Sequence, residues 1–130
     1  MNNANYIFRE PKNEPVYSYA PGTPERAALK AELDRQYKKV VEIPLIINGK
    51  DVKTGDMGTV VMPTEHGHVL AKYHKVNKEC VQMAIDAAMA AREKWESMPW
   101  IQRASIMMKA AELLATKWPY VLNAATLLGQ

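Results

Sequence analysis

The segment 77–130 constrains the fold more than any other part of the sequence, because it is rich in alanine and methionine and contains a single glycine. Its apolar residues recur at three- and four-residue steps, which predicts helices. Asn77 can accept hydrogen bonds from the free N–H groups of a first turn, so a first helix is expected to run from Asn77 to about Glu96. The residues expected on its buried side are Val81, Ala84, Ile85, Ala88, Ala91 and Trp95.

Two further helices are expected in the same segment. Pro99 can occupy the first turn of the second helix, which should end near Lys117, and Pro119 opens a third helix over residues 120–128. The second helix has only a narrow polar stripe, and the third is almost wholly apolar. Helices that are apolar over so much of their circumference need cover on more than one side. We therefore expect this chain to be a piece of a larger protein whose further sequence covers these helices.

The composition is that of a globular domain. Hydrophobic residues make up 48% of the 130 residues and charged residues 24%, which argues against a disordered chain. No uninterrupted apolar run approaches the roughly 18 residues of a membrane span. Residues 1–10 show neither a signal-peptide nor a transit-peptide pattern, and one cysteine fits a reducing compartment. A cytoplasmic protein that does not associate with membranes is expected.

The net charge of +3 does not indicate a nucleic-acid-binding protein. The lysines and arginines are scattered among acidic residues along the expected helices and strands, and they form no continuous stripe. A solvated surface is therefore the favoured interpretation, and no nucleic-acid partner is expected.

The sequence before residue 77 predicts an arm, a helix and a small sheet. Residues 1–22 are rich in proline and tyrosine and are expected to form an extended arm, since proline excludes a central strand. Thr23 can cap a helix that Pro24 starts and that ends near Lys39.

The sheet is expected to be antiparallel. Residues 41–47 are rich in β-branched side chains, which favours a strand. Asn48-Gly49 is the pair that best tolerates a tight hairpin turn before a return strand over 50–53. Two further strands are expected over 59–62 and 69–76.

Cys80 is the only thiol that could act as a nucleophile. Its place in the first turn of a helix could lower its pKa through the helix dipole. However, no histidine stands at helical spacing to activate it, so a structural role is the favoured interpretation.

Three histidines invite a metal-site interpretation. His66 and His68 would point to the same side of an extended strand, but Glu65 would face the other side and His74 lies farther along. Two imidazoles do not make a metal site, so a loop with solvated histidines is favoured.

The remaining candidates are equally weak. Asp86, Glu93 and Glu112 fall on the expected solvent faces of helices, and the glycine pair at residues 55 and 58 is too short for a phosphate-binding loop. The tryptophans are expected to pack at helix junctions rather than form a ligand-binding box; they are Trp95, Trp100 and Trp118. No catalytic, cofactor-binding or metal-binding residue is assigned.

Several segments, in this order, resemble the opening of the aldehyde dehydrogenase superfamily, and most closely its delta-1-pyrroline-5-carboxylate dehydrogenase branch. The likeness covers essentially the whole chain from about Phe8. Its segments are 13–16, 20–26, 43–47, 46–50 (IINGK), 90–95, 98–100, the helix of Arg103, 113–117 (LLATK) and 123–130 (NAATLLGQ).

The resemblance implies an α/β fold, that of aldehyde dehydrogenases, of which this chain is the N-terminal portion. Residues 23–130 would be the incomplete N-terminal part of the cofactor-binding domain, following the arm. The parent enzyme would oxidise L-glutamate γ-semialdehyde to L-glutamate with NAD in proline catabolism, through a cysteine nucleophile, and would form a homo-oligomer. The family's nucleophile lies in a Gly-Gln-x-Cys setting that Cys80 does not match. The resemblance therefore implies that catalytic and cofactor-binding residues lie outside this chain and that the chain alone is inactive.

The alternative hypothesis is a free-standing helical module without enzymatic activity. In that case the apolar helices would bind another protein.

Overall fold

The computed structural model describes residues 7, 10 and 13–130. The rest of the expected arm, residues 1–6, 8, 9, 11 and 12, lies outside the described residues. The elements in chain order are α1 (Pro24–Tyr37), β1 (Val41–Ile43), β2 (Leu45–Ile47), β3 (Lys50–Val52), β4 (Met57–Met62), β5 (Glu65–His74), α2 (Lys78–Ser97), α3 (Trp100–Thr116) and α4 (Pro119–Gly129). The expected order of a helix, a hairpin and three C-terminal helices is confirmed.

The described end of the arm has no regular secondary structure and lies against two helices. Tyr19 adopts a φ of 51°, in the left-handed region. Its carbonyl accepts from Arg26 Nη1 of α1 at 2.9 Å, and its hydroxyl accepts from Asn123 Nδ2 of α4 at 3.3 Å. The arm is thus attached where α1 and α4 meet.

Helix starts follow the sequence, with two local differences. Asn77 Oδ1 accepts from the Cys80 N–H at 2.8 Å, as expected for an N-terminal cap. Thr23 precedes α1, but its hydroxyl donates backwards to the Ala20 carbonyl at 2.9 Å instead of capping the helix. Pro99 has a ψ of 136° and stands just before α3 rather than inside its first turn.

The strands form two small sheets instead of one. Strands β2 and β3 make the expected antiparallel hairpin, in which Asn48 and Gly49 have φ values of 52° and 71°. Strand β1, however, pairs parallel with β5, and the second sheet has the order β1-β5-β4. The expected single strand over 41–47 is interrupted at Pro44, whose missing N–H cannot continue a ladder.

Polar contacts join α1 to helix α4 and to strand β5. Gln36 Nε2 donates to the Val121 carbonyl of α4 at 2.9 Å. The Tyr37 ring stacks on His68 of β5 with 3.9 Å between ring centroids, and His68 Nε2 donates to the Tyr37 carbonyl. Helix α1 therefore links the three-stranded sheet to α4.

The core of this assembly is very small. Among the residues that the structure describes, those buried are Ala71, His74, Cys80, Ala124 and Leu128. The accessible surface of the chain is 10642 Å², whereas a compact protein of 14.6 kDa exposes about 6,900 Å². No helix in the described part of the chain is long and apolar enough to cross a membrane.

Candidate interaction surface

Helix α2 presents its apolar side to solvent. Cys80 in its first turn is the only buried residue of this helix. Val81 is 46% exposed and Ile85 50% exposed, although both belong to the side that the sequence predicts to be buried. The sequence pattern is amphipathic, as expected, but among the described residues β2 covers only part of the apolar side and leaves most of it exposed.

A groove runs between α2 and the β2–β3 hairpin. It has a volume of about 470 Å³, and nearly all of its walls are apolar. A smaller depression of about 300 Å³ continues along the helix past Ala87, Ala88 and Ala91. Alanine side chains allow another backbone to approach closely, so the groove can accept a packed polypeptide segment. The groove is lined by Leu45, Ile46, Ile47, Val76, Cys80, Val81, Ala84, Ile85 and Ala88.

Helices α3 and α4 extend the exposed apolar surface. Helix α3 has no buried residue, and α4 buries only Ala124 and Leu128. We call the exposed large residues of α2, α3 and α4 the uncovered apolar surface. Patches of this extent on a folded chain mark contacts with other protein. Its members are Val81, Met83, Ile85, Met89, Trp95, Trp100, Ile106, Met107, Met108, Leu114, Leu122 and Leu127.

The tryptophans lie at helix ends as expected, but they are not packed into a core. Trp95 is near the end of α2, Trp100 begins α3 and Trp118 precedes α4, and all three are exposed. The expectation of burial at helix junctions is wrong for this chain on its own, because the residues that would enclose the rings are not among those described.

The thiol of Cys80 lies at the buried base of the groove. Its neighbours in the groove are aliphatic, and none of them could act as a base. This position agrees with a structural role in packing α2 on β2.

The expectation of a loop with solvated histidines is wrong, because the segment is a strand and two of its histidines are packed against other residues. Residues 65–74 form strand β5, and His68 stacks on Tyr37. His74 is buried and is one of the few polar groups in the core. The parallel pairing of β1 with β5 brings this histidine to Glu42, which sequence reasoning missed because such pairing has no local signal.

Glu42, His74 and Lys53 form a polar cluster between the two sheets. The Gly55 N–H donates to His74 Nδ1 at 3.2 Å, so Nε2 carries the ring proton and donates to Glu42 Oε1 at 2.9 Å. Lys53 Nζ lies 2.8 Å from the same oxygen. The His74 hydrogen bond, followed by Lys53, lowers the pKa of Glu42 to about 2. The cluster links β1, β5 and the end of the hairpin.

The described residues bring together no constellation suited to covalent chemistry or metal binding. No group of three or more histidine, cysteine, aspartate or glutamate side chains in the described part of the chain could hold a metal ion. Asp86 accepts from Gln82 and Glu112 accepts from Lys109, each on a solvent-facing helix surface.

Comparison with known proteins identifies the family. The model of the aldehyde dehydrogenase family matches residues 51–126, which is more than half of the chain. The chain belongs to the aldehyde dehydrogenase family. Its strands β4 and β5 and helices α2 and α3 lie wholly within the matched region.

Two curated relatives resemble nearly the whole chain. A delta-1-pyrroline-5-carboxylate dehydrogenase of Agaricus bisporus is 46% identical over 119 residues, which are 91% of this chain and 22% of the relative. A protein of the same name from Dictyostelium discoideum, described as mitochondrial, is 35% identical over 92% of this chain and 22% of its own length. The chain thus spans about a fifth of the length of these aldehyde dehydrogenase relatives.

A solved structure shares the fold. It is the delta-pyrroline-5-carboxylate dehydrogenase of Mycobacterium tuberculosis bound with NAD and cobalamin. The two superpose with a TM-score of 0.93 at 34% sequence identity, over 100% of this chain and 25% of that chain. The expected aldehyde dehydrogenase fold is confirmed.

Proposed function

We propose that this chain is the N-terminal segment of an NAD-dependent dehydrogenase that oxidises L-glutamate γ-semialdehyde, the open form of pyrroline-5-carboxylate, to L-glutamate in proline catabolism. The single observation that carries the proposal is the 46% sequence identity to a delta-1-pyrroline-5-carboxylate dehydrogenase about four to five times as long. The uncovered apolar surface on α2, α3 and α4 agrees with it. Within the enzyme, this segment acts as a scaffold.

The residues of this chain do not fit NAD. A dinucleotide needs backbone N–H groups around its pyrophosphate, usually at a glycine-rich turn between a strand and a helix. The turn from β5 to α2 contains no glycine, and Asn77 already occupies the Cys80 N–H. The groove beside α2 is almost wholly apolar. NAD, which accepts hydride when it is bound, is therefore proposed to be held by sequence outside this chain.

The domain boundaries are part of the proposal. We propose that residues 1–22, of which the structure describes residues 7, 10 and 13–22, serve as an arm, and that residues 23–130 belong to an incomplete cofactor-binding domain. The complete enzyme is proposed to be a homo-oligomer in which the arm reaches a neighbouring subunit. The full exposure of Val16 supports a contact outside the chain. Light scattering on the enzyme with and without residues 1–18 tests this, because an unchanged mass would exclude the arm from assembly.

The cytoplasmic location expected from the sequence stays a prediction. The Dictyostelium relative is described as mitochondrial, which does not fit a plain cytoplasmic location. Cell fractionation with an antibody against this chain decides between the two, and recovery in the mitochondrial fraction would contradict the prediction.

The experiment that tests the function begins with the coding sequence. The reading frame is expected to continue beyond codon 130, and the complete product is expected to reduce NAD when pyrroline-5-carboxylate is supplied. The isolated 130-residue chain, assayed in parallel, is expected to give no turnover. A stop codon after residue 130 in an intact genome, or turnover by the isolated chain, would contradict the proposal.

The same experiment distinguishes the proposed dehydrogenase segment from the alternative, a free-standing interaction module. An in-frame stop would favour it, since the uncovered apolar surface would then have to bind another protein.

A further inference from the structure

The strongest unexplained group in the molecule is the guanidinium of Arg103. Its Nε atom is buried and has no hydrogen-bond partner among the described residues. Arg103 lies in the first turns of α3, and its Cζ stands 6.0 Å from the centre of the Trp95 ring of α2. The ring face attracts the cation at the elbow between the two helices.

The acidic side chains nearest in sequence on these helices are already engaged. Glu96 pairs with Arg92 at 2.8 Å, and Glu112 pairs with Lys109 at 2.8 Å. Both pairs lie on solvent-exposed surfaces. Within the described chain, the half-buried Arg103 therefore has an aromatic neighbour but no counter-charge.

The surroundings of Arg103 show why the missing counter-charge has a consequence for the complete protein. It belongs to the elbow that carries Trp95, Trp100 and the uncovered apolar surface. Once another polypeptide segment covers that surface, the guanidinium loses its remaining water. A cation removed from water is stable only when an anionic acceptor replaces the water.

We propose that Arg103 binds a carboxylate, from an aspartate or glutamate of the dehydrogenase sequence outside residues 1–130, when that sequence covers the elbow of α2 and α3. Since Nε is enclosed, the acceptor reaches the two terminal amino groups, which match a carboxylate in a two-point contact. The net charge of +3 on this chain favours an acidic partner. This inference rests on the proposed function, because the covering segment is part of the complete enzyme.

The first test compares three variants of the complete dehydrogenase. Arg103→Gln is expected to lower the melting temperature by about 2 °C or more, and Arg103→Lys to restore part of it, since lysine keeps the charge but not the two-point geometry. Arg92→Gln is the matched control, because it removes an arginine from an exposed pair on α2, and it is expected to change nothing measurable. An Arg103→Gln enzyme as stable as the wild type would overturn the proposal.

The second test identifies the acceptor by charge reversal. Aspartates and glutamates of the complete enzyme, both outside and within residues 1–130, are changed one at a time to arginine in an Arg103→Glu enzyme, and those outside are the expected candidates. One of these changes is expected to restore soluble, active enzyme. Rescue by an acid within residues 1–130 would assign the contact to a second copy, and rescue by none would deny a carboxylate partner; either result overturns the inference. The proposed function fails separately, by the absence of NAD-dependent activity in the unmodified complete protein.

Discussion

Glu42 and His74 lie on neighbouring parallel strands with 2.9 Å between Glu42 Oε1 and His74 Nε2. The histidine is buried, and the carboxylate is about half exposed. Lys53, which follows the hairpin, reaches the same carboxylate. One side chain on an edge strand therefore joins the two sheets.

The stability of this joint depends on pH through Glu42. Its pKa is lowered from 4.5 to about 2 by the His74 hydrogen bond and by Lys53, so the folded state favours the ionised form. This contribution is fully present above pH 4.5 and is lost as the pH falls toward 2. Circular dichroism of the chain between these limits is expected to show acid unfolding that is shallower in Glu42→Gln. Identical acid curves for the two proteins would contradict the assignment.

Gly58 is required opposite Tyr73. The two residues are paired across β4 and β5, and a Cβ on Gly58 would lie within 2.6 Å of Tyr73 Cε1. Gly58→Ala is expected to destabilise the pair by about 1–2 kcal/mol, because the tyrosine ring must leave its position. Hydrogen exchange of the β4 and β5 amides should become roughly tenfold faster. In a Tyr73→Ala background the same substitution should have little effect; an equal effect there would contradict the steric explanation.

Cys80 is expected to be dispensable for catalysis. Its sulfur is buried at the base of the apolar groove, where no base contacts it. Cys80→Ala should lower the free energy of unfolding by about 1 kcal/mol through lost packing and leave the kcat of the complete dehydrogenase unchanged. A large loss of kcat with retained stability would instead make Cys80 the nucleophile.

The isolated chain is expected to associate and to bind hydrophobic dyes strongly. The cause is the uncovered apolar surface, which contains Met89 and Met107, each 59% exposed. Dye fluorescence and sedimentation of the purified 130 residues measure both properties. A monodisperse monomer that binds no dye and melts sharply and reversibly would contradict this expectation.

Local features of the fold could be predicted from the sequence. The Asn77 cap depends on contacts within one helical turn, and the Asn48-Gly49 turn depends on which residues tolerate positive φ. The boundaries of helices α2 and α4 depend on apolar spacing and on proline. The boundaries expected from the sequence agree with those in the structure within about two residues.

The pairing of distant strands could not be predicted from these local sequence patterns. The parallel pairing of β1 with β5, and with it the burial of His74 beside Glu42, joins residues thirty or more positions apart. The exposure of Trp95 could not be predicted from an amphipathic pattern, because such a pattern says which side needs cover and not which polypeptide supplies it. For the same reason the uncovered apolar surface was expected from the sequence, whereas the buried and unpartnered Nε of Arg103 was not.

The central claim is that another part of a dehydrogenase covers α2, α3 and α4, and Met107 tests it most directly. Met107 is exposed here, on the opposite side of α3 from the polar stripe. The measurement is the melting temperature of the complete dehydrogenase with Met107→Gln, with Lys109→Gln on the same helix as the control. The account predicts a clear fall for Met107→Gln, corresponding to about 2 kcal/mol or more, and no change for Lys109→Gln. Equal melting temperatures for wild type and Met107→Gln would contradict it, because the side chain would then be exposed in the complete protein as well.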